Sequence, residues 1–202
     1  MKTPKRIRNH VNPFSYKKDS SFIGFDNKNP IMVDIGSYRG EFGEKLLEKF
    51  KDSKNLILFE IRKPFFKYLK KIFEKENNVK IFDGDAGYSI KNILKNSIKN
   101  GIDIEKIFVN FPDPWFKEKH KKRRVVNVDF LKNLQKWIPK NTEIIFQTDQ
   151  EILFLETKEL IEENGNFEIN IFEKPLWEIK SYWEEMKAKE GNKIYRMSFQ
   201  IK

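Results

Sequence analysis

From Ile31 onward the chain alternates short apolar runs with longer amphipathic segments, and this rhythm restricts the fold more than any other feature. Ile31–Ile35, Leu56–Glu60, Val79–Phe82, Lys106–Asn110 and Glu143–Gln147 read as strands. Between the first two, Phe42, Leu46, Leu47 and Phe50 recur at helical spacing over Glu41–Phe50. A segment opening at Pro64 gathers Phe65, Phe66, Leu69, Ile72 and Phe73 on one broad face. Ile90, Ile93, Leu94 and Ile98 mark a third helix, and Phe130, Leu131, Leu134 and Trp137 a fourth. A fifth falls near Glu151–Glu163. Phe167–Phe172 and Ile194–Ile201 read as closing strands with no ordinary amphipathic helix between them, so the final strand is expected to run antiparallel. Strands that alternate with helices require a mostly parallel sheet covered on both faces, an α/β doubly wound architecture. The expected organisation is one domain over residues 30–202, preceded by a basic arm, residues 1–29, carrying Lys2, Lys5, Arg6, Arg8, Lys17 and Lys18.

Composition excludes several chemistries. Without cysteine there is no disulfide framework, thiolate zinc site or cysteine nucleophile. Two histidines, His10 and His120, leave little material for an imidazole metal site or a histidine-based triad, so no metal is expected. Lys and Arg outnumber Asp and Glu by 40 to 30, a net charge of +10 that suits a polyanionic partner. The chain is also rich in Lys, Asn, Ile and Phe, a bias that an AT-rich genome produces unaided, so the location of the charge carries more than its sum. Charges interrupt every hydrophobic run, and the N-terminus lacks the apolar segment of a signal peptide. The expectation is a soluble, cytoplasmic protein.

In open α/β sheets ligands bind at the carboxyl ends of the strands, near the point where the strand order reverses. Asp34-Ile35-Gly36-Ser37-Tyr38-Arg39-Gly40 follows the first strand, Glu60 ends the second, Gly84-Asp85-Ala86 follows the third and Phe111-Pro112-Asp113-Pro114-Trp115 the fourth. Glycines let a ligand approach the backbone, and an acid at the end of the second strand accepts from ribose hydroxyls. The turn is one residue shorter than a dinucleotide fingerprint, and Asp34 would repel a pyrophosphate. That acid suits a ligand carrying an ammonium and a sulfonium, which points to S-adenosylmethionine and against a nicotinamide dehydrogenase. Asp85, with small Ala86 beside it, is placed to bond an adenine amino group. Gly36 and Gly40 complete the expected cofactor set.

Two prolines make Phe111–Trp115 a rigid, extended corner that holds the Asp113 carboxylate off the strand end. Directly after it, Lys117 to Arg124 reads K-E-K-H-K-K-R-R, six basic residues of eight. Beside such a corner the run reads as a phosphate-gripping loop; the alternative is a solvated surface segment. Asp149 either contacts substrate or caps the following helix, and Trp115, Trp177 and Trp183 either pack or stack on bases.

On these residues the chain resembles the tRNA (guanine-N7-)-methyltransferase family of the free-standing bacterial type, a class I, Rossmann-like methyltransferase. The resemblance rests on D-I-G-x-x-x-G, Glu60, G-D-A and F-P-D-P-W-F-K-x-K-H-K-K-R-R, then Gln147-Thr148-Asp149, Ser181-Tyr182-Trp183-Glu184 and Ile194-Tyr195-Arg196. It implies methyl transfer from S-adenosylmethionine to N7 of the variable-loop guanine (guanine-46) of tRNA, with tRNA as partner and no obligatory protein partner. It implies that Asp34, Glu60, Asp85 and Asp113 bind the cofactor, Asp113 also being the active-site residue. Lys117, Asp149, Ser181, Tyr182, Trp183 and Glu184 correspond to substrate contacts, and Lys119, His120, Lys121, Lys122, Arg123 and Arg124 to the RNA-interacting stretch. The family usually has Glu at position 34, Thr at 181 and glycine at 38, where this chain has Tyr38. Two alternatives stand beside this reading. One is an amino-N nucleic-acid methyltransferase, although Asp113 separates the two prolines that such a corner holds together. The other is a non-catalytic RNA-binding protein on a methyltransferase-like fold, with Tyr38 blocking the cofactor.

Overall fold

The computed structural model describes residues 11–16, 24–175 and 178–202. Lys2, Lys5, Arg6, Arg8, His10, Lys17, Lys18 and Trp177 lie outside the described residues, and the reading of the basic arm lies there with them. The strands are β1 (Ile31–Ile35), β2 (Asn55–Phe59), β3 (Val79–Phe82), β4 (Ile104–Asn110), β5 (Glu143–Thr148), β6 (Phe167–Ile171) and β7 (Tyr195–Ile201). They form a sheet of order β3-β2-β1-β4-β5-β7-β6. β1 to β5 pair in parallel, and β7 enters antiparallel between β5 and β6. The antiparallel final strand is as the sequence suggests.

The helices are α1 (Glu41–Phe50), α2 (Lys63–Ile72), α3 (Ala86–Lys99), α4 (Val128–Trp137), α5 (Glu151–Asn164) and α6 (Tyr182–Lys189). The last lies where no ordinary helix was expected. Its eight residues carry little apolar patterning; it is held by a Ser181 N-cap, by ion pairs and by Tyr182 and Trp183 against Tyr38 rather than by a continuous apolar stripe. Elsewhere the expected periodicities hold. Ile31, Val33 and Ile35 join α3, α4 and α5 in one core, while Met32, Leu56, Leu58 and Phe108 face α1 and α2 in the other, the alternation that a two-sided sheet imposes. Fully buried Phe65 and Leu69 anchor α2, each burial contributing about 1.5–3 kcal/mol. Asn127 caps α4 by accepting from the Phe130 N–H at 3.0 Å.

The register aligns the carboxyl ends. Ile35 lies opposite Phe59 and Val109, and Phe59 opposite Phe82. The segments that follow β1 to β4 therefore emerge side by side at the reversal between β1 and β4. Among the described residues no helix is long and apolar enough to cross a membrane.

Candidate active site

A cavity of ≈ 950 Å³, open water included, lies at these strand ends, lined by Gly36, Tyr38, Glu60, Arg62, Asp85, Ala86, Asn110, Asp113, Trp115, Arg123 and Trp183, among others. An adjoining recess is lined by Asp34, Gly36, Ser37, Tyr38, Asn110, Ser181, Tyr182 and Trp183. Glu60, Asp85 and Asp113 thus face the main cavity, and Asp34 faces the recess beside it. Gly40 lines neither: its φ of 85° starts α1, and a Cβ there would come within 2.7 Å of Leu69 and 2.9 Å of Phe73. Its glycine serves packing against α2. Gly36, at φ 86°, has nothing within 4 Å of where a Cβ would stand, so the space above the turn is open.

Asp34 is 3% exposed, and its Oδ2 has no hydrogen-bond partner. Burial pushes its carboxyl up to about 7; the Ser37 side chain opposes the rise, the Glu60 charge adds to it and Asn110 opposes it. Glu60 is raised by burial as well, with Arg62 as the leading opposing influence. Its Oε2 accepts from the Tyr38 N–H at 2.8 Å and its Oε1 from the Arg62 N–H at 2.7 Å. Two carboxylate oxygens offer about four acceptor sites, so both can accept further donors. The Arg62 guanidinium reaches Asp113 at 3.4 Å and Glu60 at 3.7 Å, a cation among the acids that sequence reading did not single out. Asp85 accepts from the Gly87 N–H at 2.9 Å, which fixes the carboxylate at the start of α3.

The proline corner is strained. Phe111 and Trp115 have φ of 49° and 42°, conformations costing of order 1–3 kcal/mol each in a non-glycine residue. Arg124 holds the corner: buried, it donates from Nε to the Pro114 carbonyl at 2.8 Å and pairs with Glu156 at 2.7 Å. Arg123 lies over the Trp115 ring at 5.1 Å, and His120 meets that ring edge-on at 5.6 Å. Burial, then Arg123, Lys119 and Lys117, hold His120 below its ordinary range. Lys121 is engaged by Glu118 and Glu156. The basic run is therefore divided: Lys117, Lys119 and Lys122 are exposed, whereas Arg124 is a staple.

Of the expected substrate contacts, Trp183 alone lines the main cavity, with Ser181 and Tyr182 in the recess. Ser181 accepts from the Glu184 N–H at 3.2 Å, so S-Y-W-E begins as a helix cap. Glu184 is 2% exposed, and its carboxylate accepts from Arg196 at 3.0 Å and Gln147 at 3.2 Å. Gln147 also donates to Asn110 at 2.8 Å. Asp149 does not cap α5, whose N-cap is Gln150; it pairs with Lys187 of α6 at 3.3 Å. Lys117 stands outside the cavity. Among the described residues no group of three or more His, Asp or Glu could hold a metal ion.

Solved structures share the fold. A human methyltransferase-like protein 13 in complex with SAH superposes with a TM-score of 0.54 at 11% identity, covering 86% of this chain and 72% of that one. An antibiotic-related methyltransferase gives 0.53 at 20% identity, covering 87% of each. A doubly wound sheet with an inserted antiparallel strand, and acids gathered at its carboxyl edge, defines a class I methyltransferase. Residues 28–202 match a family described as "Putative methyltransferase". A tRNA (guanine-N(7)-)-methyltransferase of Clostridium botulinum (strain Okra / Type B1) is 36% identical over 143 residues, covering 70% of this chain and 65% of that protein. The match thus spans just under two thirds of the clostridial protein. The Prochlorococcus marinus (strain NATL1A) protein of the same name is 31% identical over 208 residues, covering 96% of each. The chain belongs to the tRNA (guanine-N7-)-methyltransferase family.

Proposed function

We propose that this chain transfers a methyl group from S-adenosylmethionine to N7 of a guanine in tRNA, the variable-loop guanine-46 being the target. The observation that carries this is one cavity bounded by strand-end acids on one side and by the strained Phe111–Trp115 corner, with its basic run, on the other. The residues fit the cofactor. The unpartnered buried oxygen of Asp34 suits a cationic group, Gly36 leaves room above the turn, and Glu60 keeps acceptor capacity for ribose hydroxyls. Asp85 and Ala86 supply the adenine end. The cofactor contributes a methyl group already activated on a sulfonium.

Guanine N7 has a free lone pair and no proton, so the protein has no base to supply; its work is alignment and charge. Asp113, 30% exposed at its side chain and lining the cavity, is the acid open to an incoming base. Its negative charge offsets the positive charge that develops on the purine, and it accepts from the guanine N1–H and amine. Glu184 and Asp149, already paired to cations, hold α6 against the sheet. Lys117, Lys119 and Lys122, with the arm of residues 1–29, grip phosphates, and residues 30–202 carry the chemistry. The reading places the enzyme in the cytoplasm, where tRNA is found.

The test is incubation of unmodified tRNA with the protein and labelled cofactor, followed by mass mapping of the nucleosides. Label in N7-methylguanosine of the variable loop is the expected result. Tight cofactor binding with label in an exocyclic amine would make it an amino-N methyltransferase. Tight tRNA binding without cofactor binding would make it an RNA-binding protein alone.

A further inference from the structure

Tyr38 serves two parts of the molecule at once. Its backbone N–H donates to Glu60 at 2.8 Å, which makes it part of the cavity wall. Its ring leaves toward the helices, with its centroid 4.5 Å from that of Phe65 on α2, 5.6 Å from Tyr182 and 5.5 Å from Trp183 on α6. The Arg39 guanidinium extends the stack, 5.0 Å from the Tyr38 ring and 5.9 Å from that of Tyr182. The residue is buried, and its φ of 51° lies where a tyrosine stays only when its surroundings hold it. A glycine would meet that backbone angle at no cost. The ring must therefore contribute something that the turn itself does not need.

What it contributes is a contact between the two ligand sides. Trp183 lines the cavity to which the Tyr38 backbone belongs, and Ser181 and Tyr182 line the recess beside Asp34. α6 presents little apolar surface of its own, so this aromatic cluster is a large part of what seats its first turn. We infer that Tyr38 is a positioning residue that couples cofactor occupancy to the seating of α6, so that cofactor and tRNA bind cooperatively. The inference rests on the methyltransferase reading above. A ligand lodged against Gly36 and Glu60 fixes the Tyr38 backbone. The fixed ring then fixes Tyr182 and Trp183, and a second ligand meeting α6 no longer bears that ordering cost. By linkage the effect is reciprocal.

The experiment measures the dissociation constant of unmodified tRNA with and without saturating S-adenosylhomocysteine, for the wild type, Tyr38→Phe and Tyr38→Gly. Occupancy should tighten tRNA roughly five- to tenfold in the wild type and in Tyr38→Phe. In Tyr38→Gly the gain should shrink to less than about twofold, whatever its affinity for each ligand alone. Glycine is at ease at this φ, and a thermal shift on adding S-adenosylhomocysteine verifies that the variant is folded and competent. Undiminished coupling in Tyr38→Gly, or no coupling in a wild type that binds both ligands, overturns the inference. A wild type that binds neither ligand overturns the methyltransferase reading itself.

Discussion

Replacing Asp34 by asparagine removes a titrating group from the end of β1 while keeping its shape. In the folded chain burial lifts this carboxyl from an ordinary 3.8 to about 7, against the opposing Ser37 bond, with Glu60 adding to the rise and Asn110 opposing it. A raised carboxyl pKa means that, between those two values, the folded chain holds a proton the unfolded chain has already lost. Stability therefore falls as pH rises from about 4 to about 7, then levels off. Asparagine cannot titrate, so the variant lacks this loss. From pH ~5 to pH ~8 its stability relative to wild type should climb by roughly 2–3 kcal/mol. A buried amide hydrogen without a partner can subtract about 1–3 kcal/mol, but it does so at every pH and leaves the slope alone. Glu60 is common to both chains and largely cancels. Urea unfolding of both proteins across this range measures the difference. Parallel stability curves would refute the reasoning, for Asp34 would then not be the proton carrier. The same group predicts that wild-type affinity for the cationic cofactor rises with pH through about 7, and that the Asp34→Asn variant shows neither the rise nor the affinity.

Arg196→Met strands the buried Glu184 carboxylate and should cost about 3–5 kcal/mol in chemical denaturation, most of it recovered when Glu184→Gln is added. Asp113→Asn should lower the single-turnover methylation rate about 10²–10³-fold, as loss of one preorganised electrostatic group does, with cofactor affinity reduced less; a wild-type rate would move the chemistry elsewhere. Neutralising Lys117, Lys119 and Lys122 together should weaken tRNA binding and flatten its salt dependence by about 0.7–0.9 log unit per lost contact. The modified base should stay the same, because phosphate contacts position without specifying. An unchanged salt slope would make these lysines solvated surface.

The strands and their end residues are readable in sequence because both depend on local order. Apolar alternation sets each strand, and the residue after a strand must lie at the sheet's carboxyl edge. Asp34, Glu60, Asp85 and Asp113 could be brought together on that ground alone. What lies between distant elements was not readable. Arg62 meets Asp113 across 51 residues, and Gln147 meets Asn110 across 37; no local pattern records such pairs. Gly40 has the form of a ligand glycine, yet its need comes from side chains of α2. Arg124 belongs by composition to a solvated run, and only the fold shows it buried under Pro114. α6 escaped because its contacts come from distant elements: polar partners on β5, β7 and α1, including the Lys45–Glu185 pair at 2.6 Å, and the Tyr38 ring after β1. The position of Arg62, two residues after Glu60, was the one available signal for its place beside the acids.

The place of β7 has a consequence for how the chain comes off the ribosome. It follows β6 in chain order, yet it lies inside the sheet, between β5 and β6. The β1 to β5 half can assemble as it emerges, but β6 has no partner until Tyr195–Ile201 arrives to bridge it. Arg196 travels on that same strand, so the nascent Glu184 lacks this cation and α6 its firm seat until β7 is free. Synthesis arrested short of Arg196 therefore leaves β5 with an open edge, an invitation to pair with other chains. Such a fragment should be a substrate for chaperones and proteases, with its β1 to β5 half folded and the β6–β7 half never closed.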